Sequence, residues 1–334
     1  MARILIITPS YSPRLGGVEK HVWHTSLQLV KSGFSVKILT QRFIKLPAQA
    51  VKKGIPIYRF SFPEKRFIGL LTIWWKLLTQ YLRLIWQADI IHIHDVFIWY
   101  LPLRLVFFWK PVVTTFHGWE GIYPVPLKNI FIRQLAVRLS NKTVAIGKYL
   151  EKYYHFKADK VLYGAVNAPV SPTKKQKLCV YVGRLDYDTG LPVLLQVLQA
   201  GGWSGRVVFC GDGLLKEQAK AVGEVKGFVD PRPYLKKAQI VFAGGYLSIL
   251  EAFAHQCAVV AAEKNPLKKD YYLRSPFANW LTVVNSADEL KSWLMVREKN
   301  PRLMNSSVKQ AYSWVKNQTW QTMTNQYIKL YRQL

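Results

Sequence analysis

The fold class is decided by residues 1–40, which read MARILIITPSYSPRLGGVEKHVWHTSLQLVKSGFSVKILT. An aliphatic run at residues 3–8 ends in a turn that contains Gly16 and Gly17. An amphipathic stretch follows at residues 18–32, and a second aliphatic run begins at residue 35. This succession of strand, glycine loop, helix and strand predicts a parallel βαβ unit.

The same pattern continues along the chain. It predicts further buried strands at residues 90–94, 112–116, 142–146, 178–182, 206–210, 240–243 and 258–261. The chain is therefore expected to form two doubly wound, Rossmann-like α/β domains, residues 1–166 and 167–318, with a linker near residues 167–173 and a final helix at 319–334. Ligands in such folds bind at the carboxyl ends of the strands, so the two binding crevices are expected to face each other across a cleft.

Composition excludes several classes of protein. The chain has 334 residues, half of them hydrophobic and 12 of them Trp, which excludes a disordered basic tail. Its three scattered cysteines predict neither a disulfide framework nor a zinc site. The N-terminal aliphatic run is too short for a signal peptide, and no apolar run reaches the length of a membrane-spanning helix. A cytoplasmic protein is therefore expected.

The charge is strongly positive, with 47 Lys+Arg against 19 Asp+Glu and a net charge of +28. Residues 1–165 carry a net +17, and residues 41–88 combine nine basic residues with nine aromatic ones and a single acid, Glu64. Such a mixture suits the headgroup region of an anionic membrane. It also suits single-stranded nucleic acid, so composition leaves both partners open.

A series of motifs in a fixed order reduces the number of functions that fit the sequence. After the opening segment come DIIHIHD at 89–95, TTFHG at 114–118, TVAIGKYLEKYY at 143–154, YVGRLDYDTGLPVLLQVL at 181–198, VVFCGDGLLKE at 207–217, KGFVD at 226–230 and SILEAFA at 248–254. This series resembles the family-4 retaining glycosyltransferases of the GT-B fold, and it covers nearly the whole chain. The last residues, TWQTMTNQYIKLYRQL, are similar to the helix that crosses back onto the first domain in that fold.

The resemblance implies a role for particular residues in binding a nucleotide-sugar donor, UDP- or GDP-linked. Glu251 would bind the ribose hydroxyls, since a carboxylate accepts two hydrogen bonds from a diol. Arg184 would neutralise the diphosphate, and His117 would lie beside the transferred sugar and phosphate. The other residues implied at the donor site are Gly17, Gly183, Thr189, Phe228, Val229, Gly245, Tyr246, Leu247 and Ser248.

Two positions depart from the family pattern. Ala243 stands eight residues before Glu251, where the first carboxylate of the Glu-x7-Glu motif is expected, and Thr189 stands where a diphosphate lysine is expected. These departures keep open a second hypothesis, in which the chain is a degenerate glycosyltransferase that binds a nucleotide or glycan for a partner enzyme.

Neither a metal nor a cofactor is expected. His92, His94 and Asp95 lie together in the sequence, but alternation along a strand puts only the two histidines on one side, without an evident third ligand. The resemblance likewise implies no metal requirement.

The leading hypothesis is a retaining glycosyltransferase that moves a sugar onto a membrane-associated, lipid-linked glycan acceptor. The resemblance implies that the leaving phosphate assists the incoming hydroxyl on the same face. The acceptor and an anionic membrane surface are expected at a basic and aromatic cluster: Arg66, Phe67, Trp74, Trp75, Lys76, Arg83 and Trp86. Peripheral attachment to the inner face of the membrane is expected, whereas nucleic acid is disfavoured because the sequence has no RNP, KH or zinc-finger motif.

Overall fold

The structure, a computed structural model, describes residues 1–14, 16–43, 45–167, 173–300 and 305–334, without the side chains of Arg66 and Asn305. It divides into two units, unit 1 (Met1–Leu162 and Trp320–Leu334) and unit 2 (Tyr163–Thr319). The sequence placed these boundaries after residues 166 and 318. Most of the linker predicted at residues 167–173 lies outside the described residues.

Unit 1 is built on a sheet with a parallel centre. Its strands are β1 (Arg3–Thr8), β2 (Ser35–Gln41), β3 (Gln49–Lys52), β4 (Ile55–Phe60), β5 (Ile90–His94), β6 (Val112–Phe116), β7 (Lys142–Ile146) and β8 (Lys160–Leu162). Their order across the sheet is β3-β4-β2-β1-β5-β6-β7-β8. The edge strand β3 pairs antiparallel with β4, and the other neighbours pair in parallel.

The helices of unit 1 connect these strands and include the C-terminal helix. They are α1 (Gly17–Lys31), α2 (Arg66–Thr79), α3 (Leu82–Gln87), α4 (Phe97–Val106), α5 (Leu127–Leu139), α6 (Tyr149–Tyr154) and, at the end of the chain, α14 (Trp320–Tyr331). Tyr327 of α14 is fully buried and bonds to His21 of α1. The predicted return of the last helix to the first domain is therefore confirmed.

Unit 2 has a sheet in which every pairing is parallel within the described residues. Its strands are β9 (Gln176–Val182), β10 (Arg206–Cys210), β11 (Glu224–Gly227), β12 (Ala238–Ala243), β13 (Ala258–Ala262) and β14 (Leu281–Val284), in the order β11-β10-β9-β12-β13-β14. The helices are α7 (Leu191–Gln199), α8 (Lys216–Lys220), α9 (Arg232–Lys237), α10 (Tyr246–Ala254), α11 (Pro266–Leu273), α12 (Ala287–Lys299) and α13 (Asn305–Val315), with 3₁₀ turns at Tyr187–Thr189 and Ala278–Trp280.

The fold class predicted from the sequence, two doubly wound parallel α/β domains, is confirmed. Central strands are buried on both faces, as parallel sheets require, and β6 and β13 have no exposed residue. The predicted site residues follow these strands: His117 comes after β6, Arg184 after β9 and Gly245 after β12.

The hairpin of β3 and β4 was not predicted. Lys53 and Gly54 form its two-residue turn, and both have positive φ angles, 51° and 78°. This conformation matches the twist of a hairpin, and glycine adopts it readily. The hairpin occupies part of the basic and aromatic segment at residues 41–88, so α2 and α3 carry the rest of that segment.

Candidate active site

In unit 1 the histidine of the TTFHG motif is held from two sides. The backbone N–H of His117 donates to Asp95 Oδ1 at 2.8 Å. Its ring atom Nε2 lies 2.7 Å from His94 Nδ1, where one nitrogen donates to the other. The His21 ring stands edge-on to it, with centroids 4.5 Å apart. His117 is thus fixed by the ends of β5 and β6 and by α1.

Helix α14 completes the histidine cluster. His21 Nε2 lies 2.9 Å from the Tyr327 hydroxyl. The His92 ring bonds to Thr115 Oγ1 at 2.8 Å and to the Tyr331 hydroxyl at 2.7 Å. Both tyrosines belong to α14, so the last helix of the chain helps to orient the ends of β5 and β6.

Burial keeps these histidines neutral. It lowers the pKa of His117 and that of His92 to about 3, and it lowers the pKa of His94 well below its usual range. Burial also raises the pKa of Asp95 to about 6. Among the described residues, His117 Nδ1 has no hydrogen-bond partner. A neutral imidazole in this position can offer Nδ1 to a ligand as a donor or an acceptor.

The loop after His117 is clamped by a buried arginine. Arg133 of α5 donates to the Gly118 carbonyl and to Glu120 Oε1, the latter at 2.9 Å. Its guanidinium lies over the Tyr154 ring at 3.8 Å, and the Tyr154 hydroxyl donates to Glu120 Oε2 at 2.5 Å. These contacts fix residues 117–120 without a ligand.

Three histidines approach the arrangement of a metal site. His21, His94 and His117 place one ligand atom each within 4.8 Å of one another. Sequence reasoning considered His92 with His94 and missed this set, because His21 and His117 come from other elements. One nitrogen of each ring already forms a hydrogen bond, His94 Nδ1 with His117 Nε2 and His21 Nε2 with Tyr327. His94 Nε2 and His117 Nδ1 have no hydrogen-bond partner among the described residues.

Gly17 of the glycine loop is the first residue of α1. Gly16 before it is extended, and a Cβ there would collide with the carboxylate of Glu19. The loop therefore passes close to an acidic side chain. Because His21 is on the same helix, Gly17 lies one turn from the histidine cluster.

In unit 2 Arg184 follows β9 and is paired with acids of its own loop. Its guanidinium bonds to Asp186 at 2.8 Å and to Asp188 at 2.6 Å, while 59% of its side chain stays exposed. Gly183, just before it, has φ of +157°, and a Cβ there would stand 3.1 Å from the Tyr181 hydroxyl. Arg184 is accessible, but its charge is largely balanced inside the loop.

Thr189 is built into the same loop. It is buried, and its Oγ1 donates to the Asp186 carbonyl at 2.7 Å and accepts from the Tyr181 hydroxyl at 2.9 Å. Its hydroxyl thus holds the turn between β9 and α7.

The amino end of α10 is also bonded internally. The Tyr246 N–H donates to the Tyr271 hydroxyl at 2.8 Å, and the two rings stack with centroids 4.0 Å apart. The Gly245 N–H donates to Ser248 Oγ at 3.2 Å. Leu247 lies between them in the first turn. Two of the backbone N–H groups predicted to meet the donor, those of Gly245 and Tyr246, therefore have side-chain partners within unit 2.

Glu251, one turn further along α10, lines a cavity of about 760 Å³ in unit 2. Arg232, Lys236 and His255 line the same cavity. Phe228 and Val229 follow β11 and are exposed. Glu251 stands at the wall of this cavity, whose lining does not include Arg184 or the first turn of α10.

The predicted acceptor cluster divides into exposed and inward-facing residues. Phe67, Trp75, Arg83 and Trp86 are exposed on α2 and α3. Trp74 is half-buried and donates its indole N–H to the Ile98 carbonyl at 2.9 Å, and Lys76 donates to the Ser61 carbonyl at 2.8 Å. Arg66 begins α2, and its side chain is outside the described residues.

Solved structures with the same arrangement cover the whole chain. Sucrose-phosphate synthase from Thermosynechococcus elongatus is 14% identical, with a TM-score of 0.80 and coverage of 100% of this chain and 99% of that one. HepE from Anabaena, in complex with UDP and glucose, is 16% identical, with a TM-score of 0.77 and full coverage of both chains. A glycosyltransferase from Rickettsia africae is 16% identical, with a TM-score of 0.73 and coverage of 99% and 98%.

The GT-B fold consists of two parallel α/β units and a C-terminal helix that packs on the first unit, and the similarity to these structures shows that this chain has it. The model of Glycosyltransferase Family 4 matches residues 15–162. The chain therefore has the GT-B fold that its motifs predicted, and its residues 15–162 are similar to the family-4 glycosyltransferases. None of the curated proteins matches its sequence.

Sequence reasoning missed three parts of these sites. Tyr271 and Lys268 of α11 reach the start of α10, and no motif in the sequence marks them. His21 could have been noticed, because a histidine on the buried face of an amphipathic helix is unusual.

Proposed function

We propose that the chain transfers a sugar, with retention of configuration, from a UDP- or GDP-sugar to a membrane-associated, lipid-linked glycan acceptor. The observation that carries the proposal is the neutral His117, fixed by His94 and Asp95 with its Nδ1 unbonded among the described residues. Support for the donor class comes from HepE, whose structure holds UDP and glucose.

His117 acts as a hydrogen-bond donor to the transferred group. If His94 Nδ1 donates to His117 Nε2, the proton of His117 resides on Nδ1 and is available to a ligand. A neutral donor in a fixed position stabilises charge that develops on the sugar or phosphate oxygen in the transition state. Because the departing phosphate assists the incoming hydroxyl, the protein needs no dedicated base.

Arg184 and Glu251 serve the donor in unit 2. Arg184 exchanges its bonds with Asp186 and Asp188 for bonds to the donor diphosphate. Glu251 accepts from the ribose hydroxyls at the wall of the cavity. The base lies against Phe228 and Val229, which are exposed.

A donor screen tests the proposal directly. UDP- and GDP-sugars are incubated with lipid-phosphate and glycan acceptors, products are read by mass, and the anomer of each product is assigned. We expect transfer from one donor class with retention. Donor hydrolysis without transfer to any lipid extract contradicts the acceptor part of the proposal, and an inverted product contradicts the mechanism.

The second candidate is a degenerate glycosyltransferase that serves a partner enzyme. It is favoured by contacts that groups predicted to bind the donor make within unit 2. Arg184 forms ion pairs with two aspartates, and the Tyr246 N–H donates a hydrogen bond to Tyr271. Under this candidate the chain binds a nucleotide or glycan without turnover. Donor consumption that the Arg184→Ala variant loses eliminates it.

The membrane part of the proposal rests on an apolar surface of unit 1. On α2 the exposed large side chains recur along one side of the helix, and α3 continues them: Phe67, Ile68, Leu71, Trp75, Leu78, Leu82 and Trp86. Of these, Phe67 is 73% exposed and Trp75 is 68% exposed. We call these seven residues the α2–α3 surface.

A second group of exposed apolar side chains lies at the end of α4 and in the residues just after it. It consists of Leu105, Val106, Phe108 and Trp109. The two groups meet through Trp86, whose ring contacts Phe107 with centroids 5.9 Å apart. Exposed aromatics beside a net positive charge fit an anionic lipid surface. Within the described residues, no helix has the length and apolarity needed to cross a bilayer.

Liposome flotation tests this attachment. We expect binding to vesicles that contain anionic lipid and weaker binding to zwitterionic ones, with the protein on the cytoplasmic face in the cell. Equal binding to both vesicle types contradicts the proposal that the net charge of +28 serves to bind anionic lipid. Tight, salt-sensitive binding of an oligonucleotide would favour nucleic acid instead.

The reaction is proposed to need no metal. One nitrogen of each histidine that could hold an ion is already engaged in a hydrogen bond within unit 1. Transfer is expected to continue at the same rate after treatment with EDTA. A loss of activity that Zn²⁺ or another divalent ion restores contradicts this and points to His21, His94 and His117.

A further inference from the structure

Lys268 of α11 is a buried lysine that the fold does not explain. Its side chain is only 6% exposed, and its Nζ donates to the Gly244 carbonyl at 3.1 Å. The rings of Tyr271 and Tyr272 lie 4.5 Å and 5.0 Å from Nζ. Among the described residues no carboxylate comes within ion-pair distance of it.

A buried ammonium without a carboxylate is costly to the fold. Burial lowers the pKa of Lys268 to about 8, Asp188 acts to raise it and Arg184 to lower it. At pH 7 the group therefore remains largely protonated. An ammonium can donate three hydrogen bonds, and the carbonyl of Gly244 accepts one of them.

Lys268 lies where the donor groups of unit 2 converge. Gly244 immediately precedes the first turn of α10, whose helix dipole favours an anion. A Cβ on Gly244 would stand 3.6 Å from Thr189 Cβ, so the Gly244 backbone adjoins the loop that carries Arg184. The ammonium of Lys268, the start of α10 and the loop that carries Arg184 thus all adjoin Gly244, and Asp188 is the acid whose charge acts on Lys268.

We infer that Lys268 binds the diphosphate of the donor and supplies the ammonium that the Thr189 position lacks. The inference rests on the proposed function, because it takes a nucleoside diphosphate sugar as the ligand. Lys268 keeps its proton throughout. Its charge stabilises the negative charge that grows on the diphosphate as the bond from the sugar carbon to the phosphate oxygen breaks. The nucleoside diphosphate departs, the sugar carbon bonds to the acceptor oxygen, and the acceptor's proton passes to the departing phosphate, so Lys268 transfers no proton.

The experiment compares nucleotide with nucleoside binding to the full chain. Isothermal titration of UDP, GDP, uridine and guanosine is carried out at pH 7 on the wild-type protein, on Lys268→Gln and on Lys269→Gln. Lys269 is the exposed neighbour on the same helix and serves as the matched control. We expect Lys268→Gln to weaken binding of the preferred diphosphate by ~10–100-fold, the range for hydrogen bonds to charged groups.

The comparison separates the outcomes. Nucleoside binding unchanged in Lys268→Gln, together with weaker diphosphate binding, supports the inference. Equal loss of nucleoside and diphosphate binding assigns Lys268 to the structure alone and overturns it, as does an unchanged diphosphate affinity. If the wild-type chain binds no UDP or GDP, the proposed function fails first, and the variants are not needed to show it.

If Lys268→Gln does not fold, the pH dependence of UDP binding to the wild-type protein tests the inference instead. The groups that face Lys268 are Arg184, Asp188, Tyr271 and Tyr272, and burial raises the pKa of both tyrosines. Between pH 7 and 9 Lys268 is thus the group of this set that titrates. UDP affinity, divided by uridine affinity, is expected to fall several-fold as the pH rises through about 8, and a flat ratio overturns the inference.

Discussion

In unit 1, His117 is held by its backbone N–H and one ring nitrogen, and its Nδ1 has no hydrogen-bond partner among the described residues. In unit 2, by contrast, the guanidinium of Arg184 forms ion pairs with Asp186 and Asp188. The first site is ready to contact a ligand without breaking any bond. The second must exchange internal ion pairs for bonds to a diphosphate. Under the proposed function, a donor diphosphate that binds Arg184 therefore competes with Asp186 and Asp188.

The two sites also differ in exposure. His117 is half-buried and neutral, with its pKa lowered to about 3. Arg184 is 59% exposed, so water screens its ion pairs and weakens them. A diphosphate with two negative charges can therefore displace the aspartates. The internal pairing reduces donor affinity, but it does not block the site.

The largest effect is expected from Arg184→Ala. This variant removes the exposed cation of the donor loop, and kcat/KM is expected to fall by ~10³-fold, as for other groups that neutralise a leaving group. Steady-state kinetics with the preferred donor provide the measurement. Arg206→Ala, which removes an exposed arginine paired with Glu224, is the control and should retain activity. Equal activity of both variants would show that the internal ion pairs persist during turnover.

A smaller loss is expected from His117→Ala, with kcat lower by ~10²-fold and little change in donor affinity. His155→Asn is the control, because His155 is exposed in unit 1 and asparagine tolerates its positive φ of 51°.

The pH profile tests the neutral state of His117. Because burial lowers its pKa to about 3, the ring is deprotonated at every pH above that value, and kcat should show no titration of this group between pH 5 and 8. A step near pH 6.5 in the wild-type profile that His117→Ala abolishes is the contrary result.

Much of unit 1 and unit 2 could be predicted because buried parallel strands have a strong sequence signal. The bounds of β5, β6, β7 and β10 coincide with those predicted. Loops that follow such strands could be assigned to a site, since ligands bind at the carboxyl ends. His117 and Arg184 lie in such loops, and the roles predicted for them came from the resemblance to the family-4 glycosyltransferases.

The contacts around the predicted donor site of unit 2 could not be predicted from local sequence patterns. Lys268 is 24 residues from Gly244 in the sequence, and only the packing of α11 brings it there. Thr189 reads as a loop residue that could meet a ligand, but its hydroxyl is satisfied by Tyr181 and by the Asp186 carbonyl. Both facts depend on tertiary contacts that periodicity does not encode.

Membrane attachment adds a property that unit 1 is proposed to have and unit 2 to lack. Replacing Phe67 and Trp75 of the α2–α3 surface together by serine should weaken binding to anionic vesicles by ~10–100-fold, since each ring contributes ~1 kcal/mol when it is partly withdrawn from water. Flotation at several lipid concentrations measures the change. Met295→Ser, an exposed apolar residue of unit 2, is the matched control. Similar loss in the control would point to a general effect of surface polarity.

The smallest effect tests the competition in unit 2 most directly. Asp188→Asn removes one ion pair of Arg184 and a negative charge near Lys268, so donor affinity at pH 7 should rise by ~3-fold, in line with the value of an exposed ion pair. Titration with UDP gives the affinity, and Glu217→Gln, whose partner is Lys220, controls for the change in net charge. Since long-range attraction by the net charge would strengthen binding in both variants, only a gain confined to Asp188→Asn shows that the loop's own acid competes with the diphosphate. A loss of affinity in Asp188→Asn would instead mean that Asp188 orients Arg184 for the donor, and the contrast between the two units would then be one of geometry, with both sites arranged before the ligand arrives.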